Sequence, residues 1–279
     1  MKIVIVGLGV VGGSFAMCLK EAGYDDVYGI DTNEDTLAKA KKQGLIKEGY
    51  KDGSVILKSA DLTIMSIYPK FVKGFIKENK DYFKKGSIVT DATGIKEMIM
   101  KDVIDIMPDD VDFVFGHPMA GREKKGIDYA SAKVFHGANY IITPISRNKP
   151  ENVDKIEELA YNLGFGRVKR ITPEYHDEMI GYTSQLPHAM AVALINSDDE
   201  NRDTGSFIGD SYRDLTRIAN INEELWSDLF LGNKDNLLKS ISNFEKQLDI
   251  IKNAIKNDDK DTLVECFIKS TSRREKLDN

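Results

Sequence analysis

The sequence predicts an α/β fold: an N-terminal, doubly wound parallel sheet followed by an all-α C-terminal domain. Three observations predict it. A β-branched strand, a glycine-rich turn and a helix open the chain, strands and helices then alternate to about residue 171, and beyond Thr172-Pro173-Glu174 no strand-like run appears. At ~150 residues per domain, 279 residues with 41% hydrophobic content allow two domains with buried cores. The spacing places them at 1–171 and 172–279.

The first strand is Lys2 to Val6, and the turn Gly7-Leu8-Gly9-Val10-Val11-Gly12 leads into a helix from Ser14 to Ala22, closed by Gly23. The second strand, Val27 to Ile30, ends at Asp31. A glycine pattern of this kind carries weight only between a strand and a helix with an acid about 20 residues on, and here that context is present. Gly7 permits the tight turn, Gly9 lets a pyrophosphate approach the backbone, and Gly12 lets helix and strand pack closely. The first domain is therefore Rossmann-type, with Gly7, Leu8, Gly9, Val10, Val11 and Gly12 against a dinucleotide. Asp31 accepts ribose hydroxyls and repels a 2′-phosphate, and Thr32-Asn33-Glu34 offers no arginine in compensation, so the cofactor is NAD rather than NADP.

Further strands are Leu62 to Ile67, Ser87 to Thr90, Asp112 to Phe115 and Asn139 to Thr143, with helical stretches at Phe71 to Tyr82 and Lys96 to Met107. Ligands of such sheets bind beyond the carboxyl ends of the strands. Those ends carry Gly7, Asp31, Ser66, the turn Asp91-Ala92-Thr93-Gly94 and Gly116-His117-Pro118, so topology delivers His117 to the cofactor side.

Thr172 is a natural N-cap and Pro173 suits a first helical turn. Gly181, Ser184 and His188 then share one helix face, and Pro187 interrupts that helix and frees the Thr183 carbonyl. Leu237, Ile241, Phe244, Leu248, Ile251 and Ile255 form a heptad-like seam, which serves either an intrachain core or a homodimer.

Composition narrows the function. With 39 basic and 45 acidic residues the formal charge is −6, which is no basic footprint for nucleic acid. Cys18 and Cys266 lie far apart at no redox or zinc spacing, as in a reduced, cytoplasmic protein. The four histidines form no i, i+4 pair, so no metal is expected. Ile3 to Leu19 is uncharged but interrupted by four glycines, and neither an export signal nor a membrane span is expected there.

Three motifs in order, Gly116-His117-Pro118-Met119-Ala120-Gly121-Arg122-Glu123-Lys124-Lys125-Gly126, Leu186-Pro187-His188-Ala189 and Arg213-Asp214-Leu215-Thr216-Arg217-Ile218-Ala219, give the chain its resemblance to the prephenate dehydrogenase family. The resemblance covers nearly the whole chain. It implies NAD-linked oxidative decarboxylation of prephenate to 4-hydroxyphenylpyruvate in tyrosine biosynthesis. It makes His117 the proton acceptor at the substrate hydroxyl and Arg217 the cation for the ring carboxylate. Asp214 either orients Arg217 or forms a solvated pair with it. His188 and Ser184 match positions near the substrate side chain. A histidine there favours the keto acid over arogenate, whose ammonium a protonated imidazole repels. Trp226 matches an aromatic of the substrate region, although Leu225, Leu229 and Phe230 suit a core equally. Glu123 pairs with Arg217 as a gate on the family pattern alone.

Two departures stand out. Where the family carries a serine that assists the base, this chain has Gly94, with Thr93 as the nearest hydroxyl. Arg122 replaces a common threonine and adds a cation that either strengthens anion binding or blocks access. His176 resembles another family position or simply occupies a first helical turn, and His136 matches nothing. The rivals are an arogenate dehydrogenase, a 3-hydroxyacid dehydrogenase and a non-catalytic NAD sensor. The second of these needs a lysine that Pro173 to Asn196 lacks, and the third needs no histidine facing an arginine. The resemblance also implies a homodimer through the helical domain. With no room left for a further domain, it places any tyrosine inhibition at the substrate site.

Overall fold

The computed structural model describes residues 1–121 and 124–277. Eight strands, β1 (Ile3–Val6), β2 (Val27–Ile30), β3 (Gly49–Tyr50), β4 (Leu62–Met65), β5 (Ile88–Asp91), β6 (Asp112–Pro118), β7 (Asn139–Thr143) and β8 (Arg167–Arg170), form one sheet in the order β3-β2-β1-β4-β5-β6-β7-β8. All neighbours are parallel except β6 and β7, which run antiparallel with His117 opposite Ile141. The expected parallel sheet is present, with one antiparallel step at β6–β7. Two short strands, β3 and β8, carry too little apolar alternation to stand out in sequence: β8 reads Arg-Val-Lys-Arg and is largely exposed.

Helices cover both faces, as the fully buried strands β1, β4 and β5 require. On one face lie α1 (Val10–Glu21), α2 (Glu34–Lys42) and α5 (Pro150–Asn162), with Phe15, Leu19, Val153 and Ile156 in a core that includes Phe135 and Phe165. On the other lie α3 (Pro69–Asn79) and α4 (Glu97–Val103), whose Val72, Ile76, Ile99 and Val103 pack with Phe113 and Phe115.

Thr172 caps α6 (Pro173–Ile180) by accepting from the Tyr175 amide, with Pro173 in the first turn. A π-helical turn, Gly181–Gln185, links α6 to α7 (Leu186–Asn196). Pro187 lacks the N–H that would bond the Thr183 carbonyl, and the looser pitch just before it is where the helix absorbs that loss. Next come α8 (Asp210–Thr216) and α9 (Glu223–Gly232), whose Leu229 enters the core of the α3/α4 face.

The chain divides into two compact units, Met1–Asn233 and Lys234–Asn279. In the second, α10 (Lys234–Lys256) and α11 (Lys260–Glu275) pack as a hairpin turned at Asp258 (φ 51°), with Asp259 capping α11. Along the α10 seam Leu237 is buried, Ile241, Phe244 and Ile251 are half-buried, and Leu248 and Ile255 are exposed.

The glycine loop yields a paired prediction. A Cβ on Gly12 would lie 1.8 Å from the Gly7 carbonyl oxygen, whereas one on Gly9 (φ −69°) meets nothing within 4 Å. Gly12→Ala is expected to cost ~2 kcal/mol or more, read as a fall of several degrees in Tm, and Gly9→Ala to leave Tm nearly unchanged. Equal Tm values for the two variants would contradict the packing described.

Candidate active site

The carboxyl edge of the sheet gathers the residues that carry chemistry. Gly7 turns the chain at φ +84°, where a Cβ would lie 2.6 Å from the Ser66 carbonyl oxygen just past β4. Among the described residues no side chain caps α1, and no acid sits in its first turn, which leaves its amides at Val10 and Val11 open to an anion. The open side of Gly9 leaves room for a pyrophosphate. Asp31 accepts from the Leu8 amide at 2.8 Å and from the Asn33 amide at 2.9 Å, which fixes its carboxylate beside the loop. The Ser66 hydroxyl is buried without a hydrogen-bond partner among the described residues. These features fit a dinucleotide.

β5 ends in a buried ion pair. Asp91 and Lys96 are both 0% exposed, with Nζ 2.6 Å from Oδ2. Lys96 also donates to the Thr93 carbonyl at 2.8 Å, and Asp91 Oδ1 accepts from the Gly116 amide at 3.0 Å, joining β5 to β6. Thr93 donates its hydroxyl to Asp91 and is 4% exposed. The expectation that Thr93 replaces the missing serine meets this fact: its hydroxyl is turned to the ion pair, because the Asp91 carboxylate and the Lys96 ammonium are the stronger partners. Gly94 is the residue bordering His117, since a Cβ there would stand 3.8 Å from His117 Cε1 and 3.2 Å from Leu229 Cδ2.

His117 lies in β6 itself, two residues past the strand end expected from sequence, and is half-buried. Its Nδ1 is 2.9 Å from His176 Nε2, and His176 Nδ1 is 2.7 Å from Asp177 Oδ1. Asp177 in turn accepts from the Lys96 amide at 2.8 Å and the Glu97 amide at 2.9 Å, the first N–H groups of α4. His176 and Asp177 are each 1% exposed. Burial, then the neighbouring His176 and Lys96, hold the His117 imidazolium well below the usual histidine range. Burial also pushes His176 down, opposed by the Asp177 carboxylate, and pushes the Lys96 ammonium down, opposed by Asp91. The neutral form of the His117 imidazole is thereby favoured.

The helical residues complete the surroundings. His188 on α7 donates from Nδ1 to the Ser184 carbonyl at 2.8 Å, across the π-helical turn, and its ring stacks on Trp226 of α9 with centroids 3.6 Å apart. Trp226 is half-buried and packs against the core cluster that includes Leu229. Arg217 and Asp214 are exposed on and just after α8. Arg122 and Glu123 lie outside the described residues.

Sequence reasoning missed the residues that organise this site. Gln185 donates to the Leu229 carbonyl at 2.8 Å, and Asn233 donates to the Gln185 side chain at 2.9 Å and to the Asp177 carbonyl at 2.8 Å, holding α9 on α6. The usable signals were the adjacent pair His176-Asp177 and the Asp91/Lys96 spacing.

Two family models match the chain: prephenate dehydrogenase, nucleotide-binding domain, over residues 15–168, and prephenate dehydrogenase, dimerization domain, over residues 172–269. The prephenate dehydrogenase of Bacillus subtilis (strain 168) is 26% identical over 289 residues, 99% of this chain and 76% of the relative. The crystal structure of prephenate dehydrogenase from A. aeolicus in complex with hydroxyphenyl propionate and NAD+ superposes with a TM-score of 0.90 at 31% identity, covering 99% of this chain and 98% of that one. Synechocystis arogenate dehydrogenase superposes with a TM-score of 0.84 at 27% identity, covering 99% and 100%.

The buried pair is open to test by denaturation. Lys96→Met strands the Asp91 carboxylate and is expected to cost ~3–5 kcal/mol, with part of the loss recovered by adding Asp91→Asn. A cost below ~1 kcal/mol for Lys96→Met, measured by urea unfolding, would contradict a dry, paired Asp91.

Proposed function

The chain belongs to the prephenate dehydrogenase family of NAD-dependent oxidoreductases, and from that premise we propose that it converts prephenate to 4-hydroxyphenylpyruvate with NAD. The observation that carries this reading is His117, a half-buried imidazole that desolvation favours in its neutral form, at the carboxyl edge of the sheet on the side of the glycine loop. NAD supplies the hydride acceptor. His117 takes the proton of the substrate hydroxyl as the hydride leaves the carbon that bears it. The bond to the ring carboxylate then breaks, carbon dioxide departs, and its electron pair completes the aromatic ring. The phenolate oxygen recovers the proton from His117, so the reaction releases none.

The other roles follow from residue type and position. Asp31 and the loop from Gly7 to Gly12 hold the ribose and pyrophosphate, with Ser66 beside them. Arg217 grips the ring carboxylate, and Asp214 lies one turn away from it. His188, held by the Ser184 carbonyl and by Trp226, faces the substrate side chain and favours a keto acid over arogenate. Arg122 and Glu123 belong to the same motif as His117 and are assigned to the mouth of the site. We assign nucleotide binding to residues 1–171 and substrate binding and dimerization to 172–279. Exposed Leu248, Ile255, Phe267 and Ile268 support a homodimer, and tyrosine is proposed to compete for the substrate site. Among the described residues no helix is long and apolar enough to cross a membrane, and both cysteines are free, which supports a cytoplasmic location.

An absorbance assay with NAD tests the reading. NADH is expected from prephenate with a higher kcat/KM than from arogenate. A preference for arogenate overturns the role given to His188, and no NADH from either substrate overturns the function. His117→Asn is expected to lower kcat by ~10²-fold or more with little change in KM, whereas Arg217→Ala raises chiefly KM. Near-normal turnover in the first, or unchanged KM in the second, removes that residue from its role. Asp31→Ser is expected to narrow the preference for NAD over NADP, and an unaltered ratio contradicts the ribose assignment.

A further inference from the structure

The Asp177 carboxylate, accepting from two amides, can only accept at His176 Nδ1, 2.7 Å away, so the proton between them sits on that nitrogen. The opposite assignment would set a carboxylate oxygen against an imidazole lone pair with no proton between them. A neutral imidazole carries one N–H, so His176 Nε2 holds a lone pair. Across the 2.9 Å contact His117 Nδ1 must then be the donor. The proton of neutral His117 is therefore on Nδ1 and its lone pair on Nε2, the nitrogen that makes no hydrogen bond among the described residues.

We propose that His176 and Asp177 are positioning residues that hold His117 in the Nδ1–H tautomer, with Nε2 as the basic atom. The proposal rests on His117 being the base. It also accounts for Gly94: where the family carries a serine hydroxyl beside the base, Gly94 supplies no hydroxyl, Leu229 packs over it, and the partner comes from α6 instead. The titratable groups acting on the His117 ring are His176 from α6 and Lys96 from the β5–α4 turn, the latter paired with Asp91, and Leu229 from α9 and His117 both border Gly94. When Nε2 takes the substrate proton, the imidazolium keeps its Nδ1–H on His176, and the chain His117–His176–Asp177 sets a carboxylate against the new charge, opposing the repulsion from Lys96. On return of the proton to the phenolate the chain reverts unchanged.

The direct test is a long-range ¹H–¹⁵N spectrum of the whole protein with ¹⁵N-labelled imidazoles, at alkaline pH, each histidine assigned by its own substitution. His117 and His176 are both expected as Nδ1–H tautomers, and an Nε2–H tautomer at His117 overturns the proposal. This reading needs no turnover. It stands or falls separately from the base assignment, which His117→Asn kinetics decide. A kinetic arm uses His176→Gln, which retains an acceptor near the Nε2 position, and His176→Asn, which retains the contact to Asp177 but withdraws from His117. The Asn variant is expected to lose ~10²-fold in kcat with KM little changed, and the Gln variant to recover about tenfold of that loss. Equal losses in two folded variants overturn the positioning role, and the wild-type spectrum decides if either variant fails to fold.

Discussion

The Asp177 carboxylate is the constraint on which the site depends. It is buried, and it is met by the first two amides of α4 and by the His176 imidazole. Hydrogen bonds to a charged acceptor are worth ~1.5–3 kcal/mol each, and the helix N-terminus adds its own positive field. One side chain of α6 thereby fastens the helical segment to the edge of the sheet. His176 is placed by its neighbour, and His117 by His176. Asn233 binds the Asp177 carbonyl and Gln185, so the end of α9, with Trp226 and Leu229, is set by the same residue.

A second buried charge, Asp91, is paired with its own lysine. The arrangement uses Lys96 twice: its ammonium neutralises Asp91, and its amide bonds Asp177. The ammonium also helps to keep His117 and His176 neutral. In the proposed reaction, a base that must be unprotonated beforehand gains from a nearby cation, and the imidazolium it would become gains from Asp177. The formal charge of −6 is no obstacle to a dianionic substrate, because the local charges at the site are arranged independently of the total.

Much of this was legible in the sequence where the relevant contacts are local. The glycine loop, Asp31 and the strands around Leu62 and Asn139 were readable because turn chemistry and β-branched runs act over a few residues. The Thr172 cap and the interruption at Pro187 were readable for the same reason, although the interruption takes the form of a π-helical turn. What escaped depends on tertiary approach. His117 and His176 are 59 positions apart, and nothing in either neighbourhood announces the contact. The antiparallel β6–β7 step and the exposed strand β8 lack a local pattern that separates them from alternatives. Thr93 lay next to the missing serine in sequence, yet the Asp91–Lys96 pair claims its hydroxyl.

In the proposed reaction His117 acts as a base that desolvation keeps neutral at the carboxyl edge of the sheet. The most direct measurement is the pH dependence of kcat/KM for prephenate and NAD from initial rates. A base must be unprotonated to act, so activity is lost as pH falls through its pKa, and a depressed pKa moves that loss to lower pH. A single acid limb lying below the ordinary histidine value of 6.5 and absent from the residual activity of His117→Asn is the predicted result. A limb at or above 6.5, or the same limb in the variant, would contradict it.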